Sequence, residues 1–301
     1  WLEDIAKIPT HIEVASEYRY RNPIIPDNTL FVTISQSGET ADTLEALKAV
    51  KKHSKDKSIH TLTICNSAES SLTRESELTF LTHAGPEIGV ASTKAFTTQL
   101  VSLALLSVAV GRCHKQVSKQ QEATIVDGLN RLPGLIKKTL EQEDQIKELA
   151  KTFKDKFNAI FLGRGTMHAI AMEGALKLKE ISYIHAEAFP AGELKHGPIA
   201  LIDNDTPVIA VAPNDSLLDK LKSNLQEVKS RGSEMIVFED EVAKVAPMKG
   251  MTIIPTTTDL GRITAPIIFT IPLQLLSYHV ALIKGTDVDQ PRNLAKSVTV
   301  E

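Results

Sequence analysis

The fold of this chain is decided by one stretch, Thr29-Leu30-Phe31-Val32-Thr33-Ile34-Ser35-Gln36-Ser37-Gly38-Glu39-Thr40. A short run of β-prone residues at 30–34 ends there in a small polar loop. Residues 41–52 then carry apolar side chains at helical spacing, namely Leu44, Leu47 and Val50. A second β-prone run follows at 59–65. The order strand, loop, helix, strand predicts the beginning of an α/β sheet.

A later part of the chain repeats this order. Residues 207–211 are β-prone, residues 216–231 have helical spacing, and residues 234–238 are β-prone again. We therefore predict a duplicated α/β fold, in which each copy is a mostly parallel, doubly wound sheet flanked by helices. The second copy has Pro213 and Asp215 in its loop. Because proline lacks an N–H and an acid repels a phosphate, only the first copy is expected to bind an anion.

Further elements complete the two copies. Residues 78–81 and 158–162 are predicted strands, and a long helix is expected to begin after Ser92 as its N-cap. The loop at 163–166 leads into a helix that reaches about Lys179. Residues 115–151 are rich in Lys, Glu, Gln and Leu, which predicts surface helices between the copies.

The length of 301 residues is twice the roughly 150 residues of an average domain, which agrees with two copies. We place a first subdomain at 1–118, a helical linker at 119–149, a second subdomain at 150–285 and a C-terminal tail at 286–301.

The composition excludes several classes of protein. A net charge of -3 provides no basic field for nucleic acid. The two cysteines, Cys65 and Cys113, suit a reducing compartment without disulfides, and no signal peptide is recognisable, which together predict a cytoplasmic location. The apolar stretches at 96–110 and 265–283 are interrupted by polar residues, which favours buried core helices over membrane spans.

The loop at 35–40 is the first candidate site. It offers hydroxyl groups, an amide and a glycine between a strand and a helix, so backbone N–H groups and the positive helix end can meet an anion. Such a loop suits a phosphomonoester, although Ser37 or Thr40 could equally be a simple N-cap. A Gly-x-Gly-x-x-Gly motif after a strand and a Walker-type lysine are both missing, which disfavours dinucleotides and triphosphates.

Two further groups carry candidate chemistry. Glu173, Lys177 and Glu180 fall at i, i+4 and i+7 and therefore share one helix face, either as a surface ladder of charges or as a proton-transfer site. His196 precedes a rigid Gly-Pro turn and is either a solvated loop residue or a second acid/base. No His, Cys and Asp cluster has the spacing of metal ligands, so we predict no metal.

Several of these stretches together resemble a known family. They are residues 35–43, 87–95, 173–187, 192–198 and 287–301. They are similar to the isomerase half of the glutamine–fructose-6-phosphate aminotransferases, within the wider family of sugar isomerase (SIS) domains. The loop alone indicates a SIS domain, whereas the lysine-rich helix and the tail indicate the aminotransferases. The resemblance implies conversion of fructose 6-phosphate and ammonia into glucosamine 6-phosphate, the first step of amino sugar biosynthesis, without a cofactor.

The resemblance also implies roles for single residues. The expected substrate-binding residues are the phosphate ligands Ser35, Gln36, Ser37 and Thr40, together with Val90 and Ala295 at the sugar and Glu173 on the helix. Glu180 matches the base that moves a proton between C1 and C2, and Lys177 supports it. Lys296 matches a tail lysine that engages the substrate carbonyl. His196 matches the ring-opening residue that reaches into a neighbouring subunit's site, which implies a homodimer.

The chain departs from the family's pattern in two respects. The family's first domain begins with a strand and a Cys-Gly-Thr-Ser-like loop, whereas Trp1 here matches the helix after that loop. The glutaminase domain that precedes it in the family is not part of this sequence, so the chain by itself is expected not to use glutamine. Two other functions remain open, namely a non-catalytic SIS module that senses a phosphosugar, and a related phosphosugar isomerase or deglycase.

Overall fold

The computed structural model describes residues 1–53, 58–256 and 261–299. It divides into two units, one formed by residues 1–123 with 295–301 and the other by residues 124–294. The four segments that we placed on the sequence remain a prediction. Each unit is an α/β structure built on a parallel sheet.

The first unit contains a three-stranded sheet in the order β1-β2-β3, with both strand pairs parallel. Its strands are β1 (Thr29–Ser35), β2 (Ile59–Cys65) and β3 (Leu78–Leu81). A π-helical turn, Leu2–Ala6, precedes four helices: α1 (Ala15–Tyr18), α2 (Ala41–His53), α3 (Ser71–Glu75) and α4 (Lys94–Cys113). The predicted strands at 30–34, 59–65 and 78–81 and the predicted helix at 41–52 are therefore confirmed.

Two helices occupy most of the stretch that we predicted as surface helices. They are α5 (Lys119–Leu140), which continues through Pro133, and α6 (Glu143–Ala150). Their amphipathic sequences explain the exposure of most of α5, in which Leu132 and Thr139 are the buried residues.

The second unit contains five parallel strands in the order β5-β4-β6-β7-β8. The strands are β4 (Asn158–Gly163), β5 (His185–Pro190), β6 (Val208–Ala212), β7 (Met235–Asp240) and β8 (Met251–Thr256). Its α-helices are α7 (Thr166–Ser182), α8 (Leu218–Lys229) and α9 (Thr264–Lys284), and its 3-10 helices are Lys151–Phe153, Ala191–His196 and Pro198–Leu201. This strand order, 2-1-3-4-5, is that of a doubly wound sheet.

The central strands of the second sheet form its core. Every residue of β6 and β7 is buried, as expected for parallel strands that are covered by helices on both faces. The repeated order strand, helix, strand is confirmed, because β6-α8-β7 has the same parallel pairing as β1-α2-β2. Strands β5 and β8 did not emerge from the sequence. Strand β5 has no run of β-branched residues, and in β8 the short run at 252–254 is interrupted by Pro255.

Two described helices, α4 and α9, are long and apolar enough to cross a membrane by length and composition alone. In α9 72% of the most apolar window is buried inside the protein, and in α4 28% is buried. The prediction of a buried core helix therefore holds for α9. Helix α4 buries one side only, through the small residues Ala95, Ser102, Ala104, Ser107, Val108 and Gly111.

Candidate functional site

The loop at 35–40 leaves the carboxyl end of β1 and enters α2. The Ser35 hydroxyl accepts the N–H of Gly38 at 3.0 Å and lies 3.2 Å from the Thr40 hydroxyl. The Ser37 hydroxyl accepts the N–H of Glu39 at 3.2 Å. The carboxyl edge of a parallel sheet, at the start of a helix, is the position in which α/β proteins bind anions. The structure thus brings Ser35, Ser37 and Thr40 together as expected.

Gly38 and α3 fix the shape of this loop. Gly38 has a φ of 72°, and a Cβ atom there would lie 2.1 Å from the Ser70 hydroxyl oxygen. Its carbonyl accepts the N–H of Leu72 at 3.0 Å, and the Glu39 carboxylate accepts the N–H of Ser71 at 2.8 Å. Hydrogen bonds from the side chain and the N–H of Ser71 hold the pKa of Glu39 below its ordinary value. Because of its positive φ and the closeness of Ser70, position 38 requires a glycine.

The corresponding loop of the second unit is arranged differently. There the Asp215 carboxylate accepts the N–H of Leu217 at 2.8 Å, just before α8 begins. A protein carboxylate thus already uses a backbone donor at the place where an anion would bind. This agrees with our expectation that the second copy is unsuited to a phosphate.

Two residues of the tail, Ser297 and Val298, contact the loop of the first unit. The Ser297 hydroxyl is 3.1 Å from the Ser37 hydroxyl, and the Val298 carbonyl accepts the N–H of Ala41 at 3.1 Å. Ala295 is exposed, and the Lys296 side chain keeps 28% of its surface accessible. The tail therefore belongs to the same candidate site as the loop at 35–40, although Ser37 and Ser297 are 260 positions apart in sequence.

Lys296 is held by the loop between β3 and α4. Its Nζ lies 3.1 Å from Oε2 of Glu87 and 2.7 Å from the carbonyl oxygen of Gly89. Val90, the predicted sugar contact, follows directly and is half-buried. Sequence reasoning had not singled out Glu87 as a site residue.

Glu87 also caps α4, which corrects the predicted N-cap. The N-cap position is Thr93, not Ser92, and its hydroxyl makes no capping bond. Instead, Oε1 of Glu87 accepts the N–H groups of Thr93 at 2.7 Å and Ala95 at 3.3 Å. The prediction was wrong because a carboxylate six residues upstream satisfies the free N–H groups that a nearby hydroxyl usually takes.

Asn66 is a second residue that sequence reasoning missed. It follows β2, and its Oδ1 accepts the N–H of Ala84 at 2.8 Å and the hydroxyl of Thr82 at 3.1 Å. Its Nδ2 donates to the Gly85 carbonyl at 2.8 Å. These three bonds anchor the start of the segment that carries Glu87. The signal was an asparagine at a strand end, which is too common to identify a site.

In the second unit, the three charged residues of α7 form one cluster. Nζ of Lys177 lies 2.6 Å from Oε2 of Glu180 and 3.5 Å from Oε1 of Glu173. The side chains of Lys177 and Glu173 are 5% and 9% exposed, and that of Glu180 is 22% exposed. A surface ladder of charges is therefore excluded for the first two residues. A lysine held between two acids, one of them accessible, suits proton transfer.

His196 and the start of the tail lie in the same unit. His196 is exposed at the end of the 3-10 helix Ala191–His196. The tail is anchored after α7, where the hydroxyl of Tyr183 accepts the N–H of Arg292 at 2.8 Å and the Thr286 hydroxyl donates to the Ile181 carbonyl at 2.5 Å. The polar tail is therefore held by hydrogen bonds in two places. One is at Thr286 and Arg292, and the other is at Lys296 and Ser297.

Comparison with known proteins shows the family. The model of the SIS domain matches residues 1–109 and 152–284, one match in each copy of the repeat. The chain belongs to the SIS-domain family. The resemblance to a SIS domain that the loop at 35–40 indicated is thereby confirmed.

Several SIS proteins are closely similar to this chain. It is 59% identical to a glutamine–fructose-6-phosphate aminotransferase (isomerizing) of Pseudomonas putida over 100% of its own length and 49% of that protein. The enzyme of the same name from Pectobacterium atrosepticum is also 59% identical, with 48% of it covered. The chain thus spans about half the length of the curated relatives it matches.

Solved SIS structures agree with this assignment. The C-terminal domain of glucosamine-fructose-6-phosphate aminotransferase from Francisella tularensis is 52% identical, with a TM-score of 0.92 over 96% of this chain and 80% of that domain. A glucosamine-6-phosphate deaminase from Thermotoga maritima has a TM-score of 0.77 at 23% identity, which shows a shared fold alone. The chain therefore corresponds to the C-terminal, isomerase part of such aminotransferases.

The environment of Glu87 makes the free energy of unfolding of this SIS protein depend on pH in the acid range. Burial of the carboxyl raises its pKa, but the N–H groups of Thr93 and Ala95 and the Lys296 ammonium together lower the pKa of Glu87 below its ordinary 4.5. A lowered pKa adds stability that is complete above about 4.5 and is lost as the pH falls through the lowered value.

We expect this loss of stability at acid pH to come from the carboxylate of Glu87, so that a variant without the carboxylate does not show it. The free energy of unfolding in urea should differ between the wild type and Glu87→Gln at pH 7, and the difference should shrink below about pH 4.5, where the two side chains become alike in charge. A difference that stays constant between pH 7 and pH 3 would contradict this prediction.

Proposed function

We propose that this chain is the isomerase half of a glucosamine-6-phosphate synthase. It converts fructose 6-phosphate and ammonia into glucosamine 6-phosphate and water, and the ammonia comes from a glutaminase domain in the same parent polypeptide. The observation that carries the proposal is the position of the tail on the loop at 35–40. The Ser297 hydroxyl lies beside that of Ser37, and the Lys296 amine donates to the carbonyl of Gly89, the residue before Val90. The names and the identity of the relatives support the same reaction.

The loop would bind the phosphate group of the substrate. The hydroxyls of Ser35, Ser37 and Thr40, the amide of Gln36 and the positive end of α2 together favour a dianionic phosphate without a lysine or arginine. A neutral set of donors suits a substrate that must be released after every turnover, because it holds the phosphate less tightly than a cation would.

The charged cluster of α7 would move the proton. Glu180 takes a proton from C1 and returns one to C2, which interconverts the ketose and aldose forms of the bound amino sugar. The Lys177 ammonium, 2.6 Å away, holds this carboxylate in one position. Glu173 holds Lys177 from the other side.

Lys296 and His196 complete the proposed chemistry. Lys296 engages the carbonyl at C2, where ammonia adds and the carbonyl oxygen leaves as water. His196 opens the sugar ring and, as an exposed residue, would do so in the site of a second subunit of a homodimer. The reaction needs no redox step, so no cofactor is required, and we expect the enzyme to act in the cytoplasm.

A SIS module that only senses a phosphosugar is the main alternative. Such a module needs the loop at 35–40 but has no use for Glu180, His196 and Lys296 together. A related phosphosugar isomerase or deglycase would share the loop and not the tail. The bonds from Lys296 to Glu87 and Gly89 favour the synthase over both.

Removing the hydroxyl of Ser37 tests the proposed phosphate site. In the full-length parent protein, Ser37→Ala is expected to weaken the binding of fructose 6-phosphate about tenfold, because one hydrogen bond to a charged group is lost. Calorimetric titration measures this effect, and fructose without phosphate should show no binding. Ser230→Ala, on the surface at the end of α8, serves as the control and should bind as the wild type does. Equal affinity in Ser37→Ala would rule out this residue as a phosphate ligand.

A further inference from the structure

Glu87 contacts a proposed catalytic group, the Lys296 amine. Its side chain is 5% exposed, and its two carboxylate oxygens have different partners. Oε1 accepts backbone N–H groups at the start of α4, whereas Oε2 lies 3.1 Å from the Lys296 amine. One buried carboxylate therefore joins the end of the chain to the rigid start of a 20-residue helix.

The bonds of the Lys296 amine define its orientation. The nitrogen has one acceptor in Glu87 and a second in the carbonyl of Gly89 at 2.7 Å. A lysine nitrogen has four tetrahedral positions, of which one is the bond to its own side chain and two are used here. The one that remains is an N–H in the ammonium and a lone pair in the neutral amine. Either form could use that position towards a substrate carbonyl.

We infer that Glu87 is a positioning residue, which orients the Lys296 amine towards the substrate carbonyl and couples the tail to the start of α4. This role rests on the proposed function, in which Lys296 engages C2. Glu87 acts through Lys296 and does not itself touch the substrate. Its effect should therefore fall on turnover more than on substrate affinity, because the phosphate is held by the loop at 35–40.

The variant Glu87→Gln separates this role from the capping of α4. The glutamine side-chain oxygen still accepts the N–H groups of Thr93 and Ala95, so the helix start keeps its cap. The charge that attracts the Lys296 amine is lost. Glu75→Gln is the matched control, since it removes the charge from an exposed carboxylate 2.7 Å from Lys51 in the same unit.

Turnover in the full-length parent protein provides the first test. We expect Glu87→Gln to lower kcat about tenfold with fructose 6-phosphate and ammonia, with KM for the sugar unchanged, because the amide nitrogen that replaces Oε2 cannot accept the hydrogen bond of the Lys296 amine. In a Lys296→Ala background, the same change should have no further effect, since the two residues act as one unit. A separate loss in the double variant, or an unchanged kcat in Glu87→Gln, would overturn the inference.

Cleavage by trypsin after Lys296 provides a second test that needs no activity. Trypsin must bind the lysine side chain, so bonds to Glu87 and Gly89 should protect the bond between Lys296 and Ser297. We expect Glu87→Gln to speed this cleavage about tenfold relative to cleavage after Arg292, and Glu75→Gln to leave it unchanged. Equal cleavage in the wild type and Glu87→Gln would show that Glu87 does not hold Lys296.

The two tests distinguish failure of the inference from failure of the proposed function. If the wild-type parent makes no glucosamine 6-phosphate, the proposed function fails, and the trypsin comparison still decides whether Glu87 orients Lys296. If the wild type is active and Lys296→Ala turns over more slowly, the kcat of Glu87→Gln decides whether that orientation serves the reaction.

Discussion

Replacing Glu180 by glutamine is expected to lower kcat for glucosamine 6-phosphate formation about a thousandfold, within the range that a single acid/base group contributes. An amide cannot take a proton from C1 at neutral pH. Glutamine has the size and shape of the glutamate side chain, which lies 2.6 Å from the Lys177 amine, so the helix should keep its structure. The measurement is steady-state turnover of the full-length parent protein with fructose 6-phosphate and ammonia.

The control for this variant is Glu187→Gln, on the neighbouring strand β5. Its side chain is 45% exposed and lies 3.6 Å from His185, away from the contacts of Lys177. We expect it to retain the wild-type kcat. Titration should further show that Glu180→Gln binds fructose 6-phosphate as tightly as the wild type, because the phosphate loop is unaltered. Full activity of Glu180→Gln would remove this residue as the base.

The second large effect is expected from Gly38→Ala in the phosphate loop. An alanine at a φ of 72° costs about 1–2 kcal/mol, and its Cβ would lie 2.1 Å from the Ser70 hydroxyl oxygen, which adds about 1–3 kcal/mol of overpacking. We expect the free energy of unfolding to fall by about 2–5 kcal/mol. Binding of fructose 6-phosphate should become too weak to measure, because the loop cannot keep its shape. Urea unfolding and calorimetric titration measure the two effects.

Gly134→Ala is the matched control for Gly38→Ala. Gly134 lies within α5, and no described atom comes within 4 Å of a Cβ built there. Because alanine is the better helix former, this variant should be more stable by about 0.5–1 kcal/mol and should bind the sugar normally. Comparable destabilisation by both substitutions would mean that the conformation of Gly38 is not what the loop requires.

Much of the fold could be predicted because local patterns and tertiary structure agree. Strand β2 was bounded correctly at 59–65, since a β-prone run there ends at an asparagine and packs into a parallel sheet. Helix α7 was predicted from its loop and its spacing. Strand β5 was missed because its sequence, His185–Pro190, has a histidine, a glutamate and a proline, and its place in the sheet depends on pairing with β4.

The candidate site was only partly predictable for the same reason. Ser35, Ser37 and Thr40 are neighbours in sequence, so a single loop motif indicates them. The partnership of Lys296 with Glu87 joins positions 209 residues apart, which no local pattern reports. The resemblance to the aminotransferases indicated Lys296, whereas the capping role of Glu87 follows only from the coordinates.

The central claim is that this chain makes an amino sugar from fructose 6-phosphate. The most direct measurement is mass-spectrometric detection of glucosamine 6-phosphate after the full-length parent protein is incubated with fructose 6-phosphate and ammonium chloride, without glutamine. Our account predicts that product accumulates with the wild type, and that fructose without phosphate yields none. Tight binding of fructose 6-phosphate without any product would contradict the account and favour a phosphosugar sensor.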